Sequence, residues 1–502
     1  MQVPLILAAE QGAAGGHSPS AIWVWPFVAI LLCIAILPLM RRTHRWWEEN
    51  HNKLLIAGIL AAATLGYYQF RGYGIAVHGE KAPAGESAQV SSEAEHEQAA
   101  PTDAGGHHYS EAGWPTVWAV FDHAVLNEYI PFLTLLFCLY VIAGGIVVRG
   151  DIQASPRVNT TILGIGGLLA SFIGTTGAAM VLIRLLLKTN VERKRIVHTV
   201  VFFIFIVANI GGTLLPIGDP PLFLGYLRGV AFFWTLSLWK QWAFVLVLTL
   251  LVYYLWDCWA YRHEEQRDIE LDKAHIEPIR ISGTLNVLWL LGVVAAVAML
   301  DPAKPFPGTD WHPFPYLREG VQLAMAGLSL LTTSAVLRKE NQFNYVAIGE
   351  VACLFIGIFI TMQVPIEILN AMGPQMAEAG FTKPWQFFWC TGVLSSVLDN
   401  APTYVVFFET ATTLPIDPAR AVELGTTGRQ IDGGLLTAIS CGAVFMGANS
   451  YIGNGPNFMV KTIAEQSGVR MPSFFGYMVY AALVLIPIFV ATTLVFFRNA
   501  AT

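Results

Sequence analysis

Two carboxylates stand out because the stretches that hold them otherwise carry almost no charge. Asp219 lies in "IGDPPLF" (217–223), at the end of an apolar run, and Asp399 lies in "SSVLDNAPTYVV" (395–406). A carboxylate inside a bilayer is costly and marks a function by default. Ionised, it ligates a hard cation through oxygen. Protonated, it is neutral, so a desolvated carboxylate can exchange H⁺ for Na⁺. Oxygens that could complete such a shell lie nearby in sequence: the amides of Asn209, Asn400, Asn449, Asn454 and Asn457, and the hydroxyls of Thr175, Thr176, Ser396 and Thr403. The competing reading is a helix cap, Asp219 at a membrane interface and Asn400 at the head of a helix. Glu350, Glu409 and Arg184 also fall in apolar surroundings. Arg184 would snorkel, Glu409 would lie at an outer interface, and Glu350 is a second candidate proton site.

The elements that must position these residues are membrane helices. The chain has 502 residues, 55% of them hydrophobic and 13% charged, with a mean hydropathy of +0.54. A soluble domain of this size needs far more surface charge. The six cysteines lie singly with no CxxC, which reads as small core residues. Ten full spans are predicted: 21–40, 53–70, 129–149, 196–220, 240–259, 282–300, 319–337, 343–363, 433–460 and 471–497. Two further apolar stretches, 160–187 and 386–412, are interrupted near their centres.

Lys and Arg orient the spans. Arg41, Arg42 and Arg45 follow the first span, so the N-terminal tail, 1–20, is expected outside. Arg149 and Arg157 put 150–159 inside, and "KTNVERKR" (188–195) belongs there too. The stretch 160–187 then has both flanks on one side, so it should enter and turn back as a re-entrant hairpin. By the same count 386–412 is a second hairpin, entered from outside, 260–281 is a cytoplasmic linker, and the tail 498–502 is external. The segment 71–128 is rich in Ala, Gly, Ser, Glu and His and reads as a disordered external loop. Its His78, His96, His107 and His108 have irregular spacing for a metal site.

The broken segments recur. "GLLASFIGTTGAAMVLI" (167–183) aligns with "GVLSSVLDNAPTYVVFF" (392–408), and "GTLLPIGDPPLFL" (212–224) with "GANSYIGNGPNFM" (447–459). Gly212/Gly447, Ile217/Ile452, Gly218/Gly453, Pro221/Pro456 and Phe223/Phe458 are identical pairs. With opposed orientations, this pattern predicts two inverted repeats, 21–259 and 282–497, the architecture of secondary transporters. A helix broken inside the membrane frees backbone carbonyls for cations and N-termini for anions. Gly218 and Gly453 permit the backbone shape, and Pro220, Pro221 and Pro456 end the hydrogen-bond ladder.

At these residues the chain resembles the ion transporter superfamily that includes NhaD-type sodium/proton antiporters, arsenite permeases and citrate or dicarboxylate transporters. "ANIGGTLLPIGDPP" (208–221) is similar to its broken-helix signature and "SSVLDNAPTYVV" to its second-hairpin signature. The resemblance implies an all-α fold with a scaffold and a transport domain, two opposed hairpins, a homodimer and elevator-type movement. Asp219 and Asp399 match acidic positions of the NhaD-type pattern. The first hairpin departs from it, with Gly174-Thr175 where those antiporters carry Asp-Asn, and the Ser-Asn-Thr signature of the sodium-coupled dicarboxylate branch is absent. The function expected is Na⁺(Li⁺)/H⁺ antiport in a bacterial-type inner membrane; the alternative is H⁺- or Na⁺-coupled transport of citrate or a similar organic anion. The partners expected are a small cation or organic anion and the lipid bilayer, with no nucleic acid and no cofactor beyond transported Na⁺ and H⁺. No Walker A, HExxH or GxSxG with partner residues occurs, so no enzyme is expected.

Overall fold

The computed structural model describes residues 19–40, 42–77, 108–425 and 428–498. His78, His96 and His107 lie outside the described residues. Apolar runs of this length satisfy their own backbone polar groups only as helices, and helices dominate. In chain order they are α1 (Trp25–Ile36), α2 (Asn50–Phe70), α3 (Trp114–Ala143), α4 (Pro156–Ile173), α5 (Thr175–Thr189), α6 (Val197–Ile206), α7 (Pro220–Leu227) and α8 (Trp239–Arg262). The second half follows the same order: α9 (Leu285–Met299), α10 (Leu317–Thr332), α11 (Val346–Glu378), α12 (Pro384–Val397), α13 (Asn400–Thr412), α14 (Gly433–Met446), α15 (Gly455–Gln466) and α16 (Phe474–Thr492). The strands among the described residues form three two-stranded antiparallel pairs.

Five helices are long and apolar enough to cross a membrane: Asn50–Phe70, Trp114–Ala143, Phe232–Arg262, Val346–Glu378 and Phe474–Phe497. Shorter apolar helices accompany them. On α8 the side chains of Val247, Leu251, Leu255 and Trp259, one per helical turn, are exposed. The chain is a polytopic helical membrane protein.

The sequence expectation of a loop over 71–128 fails at 114–128, while 78–107 lie outside the described residues. The chain is helical from Trp114 onward, not a loop to residue 128. Pro115 occupies the first turn, where its missing N–H costs nothing. Polar residues at 122–128, which lower the local hydropathy, are taken up in a π-helical stretch, Asp122–Tyr129. The predicted spans 196–220 and 433–460 are not continuous helices: α6 stops at Ile206 and α14 at Met446.

The packing comes in matched pairs. α2 lies on α11 and α3 on α10; α5 lies on α15 and α13 on α7. The arms α4 and α5 pack together and are joined by one residue, Gly174, whose φ of 78° favours glycine. α12 and α13 also pack together, joined through the extended pair Leu398 and Asp399.

Candidate functional site

Each break begins where a helix loses its ladder. After α6 the chain passes through a 3₁₀ turn, Ile210–Thr213, and resumes at Pro220. After α14 it passes through Gly447–Asn449 and resumes at Gly455. In both, two glycines face each other at backbone distance. A Cβ on Gly218 would lie 2.3 Å from the Gly212 carbonyl oxygen, and one on Gly453 would lie 2.6 Å from that of Gly447. Gly453→Ala should therefore lower transport at least about tenfold and destabilise by about 1–3 kcal/mol, as overpacking does. Gly455→Ala meets nothing within 4 Å and should be silent. Uptake and thermal unfolding of the two variants check this.

Asp219 precedes α7 but does not cap it. Pro220 and Pro221 leave no N–H at the first two helical positions, and the Leu222 N–H is taken by the Asp219 main-chain carbonyl at 3.1 Å. Its carboxylate instead accepts from three other elements. Thr175 Oγ1 at the head of α5 donates to Oδ1 at 3.0 Å, and Asn454 Nδ2 at the second break donates to the same oxygen at 3.0 Å. Asn400 Nδ2 at the head of α13 donates to Oδ2 at 2.7 Å. Both turns between helix arms and both breaks therefore meet at one buried carboxylate.

The contacts extend as a polar chain. Asn454 Nδ2 also donates to the Ala208 carbonyl at 3.0 Å, freed by the end of α6. Asn209 Nδ2 donates to Asn457 Oδ1 at 2.7 Å and to the Ile204 carbonyl at 2.8 Å. Asn457 Nδ2 in turn donates to the carbonyls of Gly447 and Ser450, each at 2.9 Å. The carbonyl of Gly218 accepts from Thr175 N at 2.8 Å, tying the first turn to the first break.

Asp399 is half-buried, and its Oδ1 accepts from Ala401 N at 3.0 Å, so one of its oxygens does act as a cap. Ser396 Oγ donates to the Met446 carbonyl at 3.1 Å and accepts from Asn449 Nδ2 at 2.9 Å. Its counterpart Ser171, which the candidate shell omits, donates to the Gly211 carbonyl at 2.5 Å and accepts from Leu214 N at 3.0 Å. The alignment of Ser171 with Ser396 was the signal for it. Two amide oxygens, Asn400 Oδ1 and Asn449 Oδ1, are buried without a hydrogen-bond partner. An orphaned buried acceptor is costly, and an amide oxygen is a good ligand for a hard cation.

Other candidates fall elsewhere. Thr403 Oγ1 bonds the Asp399 carbonyl within its own helix at 2.9 Å, and Thr176 is half-buried with no hydrogen bond to the cluster. Glu350 is ion-paired to Lys53 at 2.8 Å. Glu409 is buried between Arg228 at 3.1 Å and Arg429 at 2.6 Å. Arg184 Nη1 donates to Asn341 Oδ1 at 2.9 Å. Among the described residues no group of three or more His, Cys, Asp or Glu could hold a metal ion, and the six cysteines are free.

The cluster lies entirely within the part of the chain that matches a known family. Residues 106–497 match the family model CitMHS_2, described as "Putative citrate transport". The chain belongs to this family. Membership in CitMHS_2 makes it a secondary transporter of a small ion or organic anion, and agrees with the superfamily resemblance without selecting its NhaD-type branch. No curated protein matches the chain.

Proposed function

We propose that this chain is a cation-coupled secondary transporter of a citrate-class organic anion, with Asp219 and Asp399 holding the coupling Na⁺ or H⁺. The observation that carries the reading is the Asp219 carboxylate, reached by donors from Thr175, Asn400 and Asn454. A carboxylate held by three neutral donors keeps lone pairs for a cation. Asn400 Oδ1 and Asn449 Oδ1 are the oxygens left to join it. The family description supplies the class of cargo.

Electrostatics sets the order of events. Like charges about 4 Å apart repel by about 4 kcal/mol at the effective dielectric of a protein site. No Lys or Arg hydrogen-bonds Asp219 or Asp399 among the described residues. A carboxylate cargo therefore needs Asp219 and Asp399 neutralised first, so cation binds before anion. The turns at Gly174 and at Leu398–Asp399 are the tips of two re-entrant hairpins of an inverted repeat. The matched contacts, α5 on α15 and α13 on α7, support that arrangement. Ten spans, lipid around the exposed face of α8, an inner-membrane location, a homodimer and elevator movement complete the reading.

The second reading is Na⁺(Li⁺)/H⁺ antiport. It is favoured by the same lack of a cationic partner at the two carboxylates, which suits a cation cargo alone. Proteoliposomes separate the two. Labelled citrate uptake that requires Na⁺ or a proton gradient supports the first. Na⁺- or Li⁺-driven proton movement without citrate, read by a pH-sensitive dye, supports the second. Under either reading Asp399→Asn should cut flux about tenfold, the loss of one charge-assisted ligand. Unchanged flux at saturating and subsaturating cation would remove Asp399 from the site.

A further inference from the structure

Away from the Asp219 cluster a cavity of about 660 Å³ opens between the end of α5, the loop at 190–197, the end of α15 with the turn after it, and the turn at 340–342. Its walls carry five cationic side chains, Arg184, Lys188, Arg193, Lys194 and Arg470, against one carboxylate, Glu340. Glu340 is itself held by the Arg149 guanidinium, with Nε at 2.6 Å from Oε1 and a second contact from Nη2 to Oε2.

Three of the five cations are already matched. Lys188 pairs with Glu277 at 2.5 Å, Arg193 with Asp257 at 2.6 Å and Lys194 with Glu265 at 2.5 Å. The other two are not. Arg184 donates only to neutral amides, Asn341 Oδ1 at 2.9 Å and Gln342 Oε1 at 3.2 Å. Arg470 is exposed and, among the described residues, has no hydrogen-bond or ion-pair partner. Gln342 is held at a φ of 49°, a backbone that residues with side chains rarely adopt. Its amide is thereby kept against Arg184 on the cavity wall.

We propose that this cavity is a binding site for a multivalent anion, engaged by Arg184 and Arg470. A guanidinium offers a planar fork of donors that matches a carboxylate or a phosphate two bonds at a time. Basic residues that only anchor a membrane protein face headgroups at its rim; these two line a cavity walled by four segments of the chain. The occupant is a soluble polycarboxylate of the citrate class. An anionic lipid headgroup presents the same chemistry and is the other source. The choice of polycarboxylate rests on the organic-anion reading above, and the test does not require transport.

The experiment is equilibrium binding of radiolabelled citrate to the full chain in phosphatidylcholine nanodiscs. The backgrounds are wild type, Asp219→Asn, and Arg184→Gln combined with Arg470→Gln, each checked for folding by thermal unfolding. The expected result is saturable binding that survives Asp219→Asn and weakens about tenfold in the double arginine variant, the loss of charge-assisted hydrogen bonds. If phosphatidylglycerol is retained by wild type and released by the double variant while citrate is not bound, the anion site stands and its ligand is a headgroup. Citrate binding lost in Asp219→Asn but intact in the double variant overturns the site and leaves the transport reading standing. Neither citrate nor phosphatidylglycerol bound in an arginine-dependent way overturns it outright.

Discussion

Asp219→Asn abolishes coupled transport and leaves the protein folded. Removing the charge from a buried cation site costs about 3 kcal/mol, or about a hundredfold in affinity, and no other carboxylate shares the three donors that Asp219 accepts. The fold survives for a reason specific to its partners. The substituted amide would keep an oxygen for Thr175 Oγ1 and Asn454 Nδ2, which both donate to Oδ1 of the native carboxylate. Its new NH₂ group would face Asn400, whose own Oδ1 has no partner. A flip of the Asn400 amide turns that orphaned oxygen toward the new donor. Asp219→Ala is the contrast: it strands the Thr175 hydroxyl and the Asn400 amide, each costing about 1–3 kcal/mol, while Asn454 keeps the Ala208 carbonyl, and it should melt lower. Flux in proteoliposomes together with thermal unfolding reads both effects. Wild-type flux in Asp219→Asn would remove Asp219 from the transport path.

The same residue shows what the sequence made legible. A carboxylate in an apolar run pointed to a functional group, but "GDPP" left a helix cap open as the competing reading, and the three donors from other elements decide between them. The paired glycines were equally readable, because backbone-to-backbone approach excludes every other residue. The hydrogen bond from Asn454 to Asp219 was not. Alignment shows that two positions are equivalent, but equivalents touch only when they lie near the axis that relates the repeats, and alignment carries no distance from it. Thr176 failed as a ligand for a related reason. It neighbours Thr175 in sequence, but successive helical positions point about 100° apart, so only one of the two hydroxyls can face the carboxylate. Glu350 looked like a proton site because Lys53, its partner, is remote in sequence. The start of α3 was misplaced because polar residues at 122–128 resemble a loop; Asn127 bonds Asp122 locally, but the guanidinium that pairs with buried Glu128 is distant in sequence.

Glu128 is the sharpest of those, and it leads to the second large effect. It lies in the π-helical stretch of α3, buried, with Oε1 at 2.5 Å from Arg228 Nη2. Arg228 follows α7, and its Nε reaches Glu409 of α13 at 3.1 Å. Arg429 holds the other oxygen of Glu409 at 2.6 Å. Two acids and two bases alternate across three helices and the strand at 429–432. Arg228→Met deletes the link shared by both acids. Glu409 keeps Arg429, but Glu128 is left with only the exposed His123 ring at 4.0 Å, a buried charge without a guanidinium partner, which costs about 3–5 kcal/mol. A large fall in thermal unfolding temperature should result, exceeding that of any single exposed pair such as Lys188 with Glu277. Adding Glu128→Gln removes the stranded charge and should restore more than half of the loss, a coupling that a double-mutant cycle measures directly. No recovery would mean that Arg228 acts through packing alone. Recovery with transport intact assigns the alternating charges to holding α3 against α7 and α13. Recovery of stability without transport assigns Arg228 a part in the movement itself, because α7 carries Asp219 at its head.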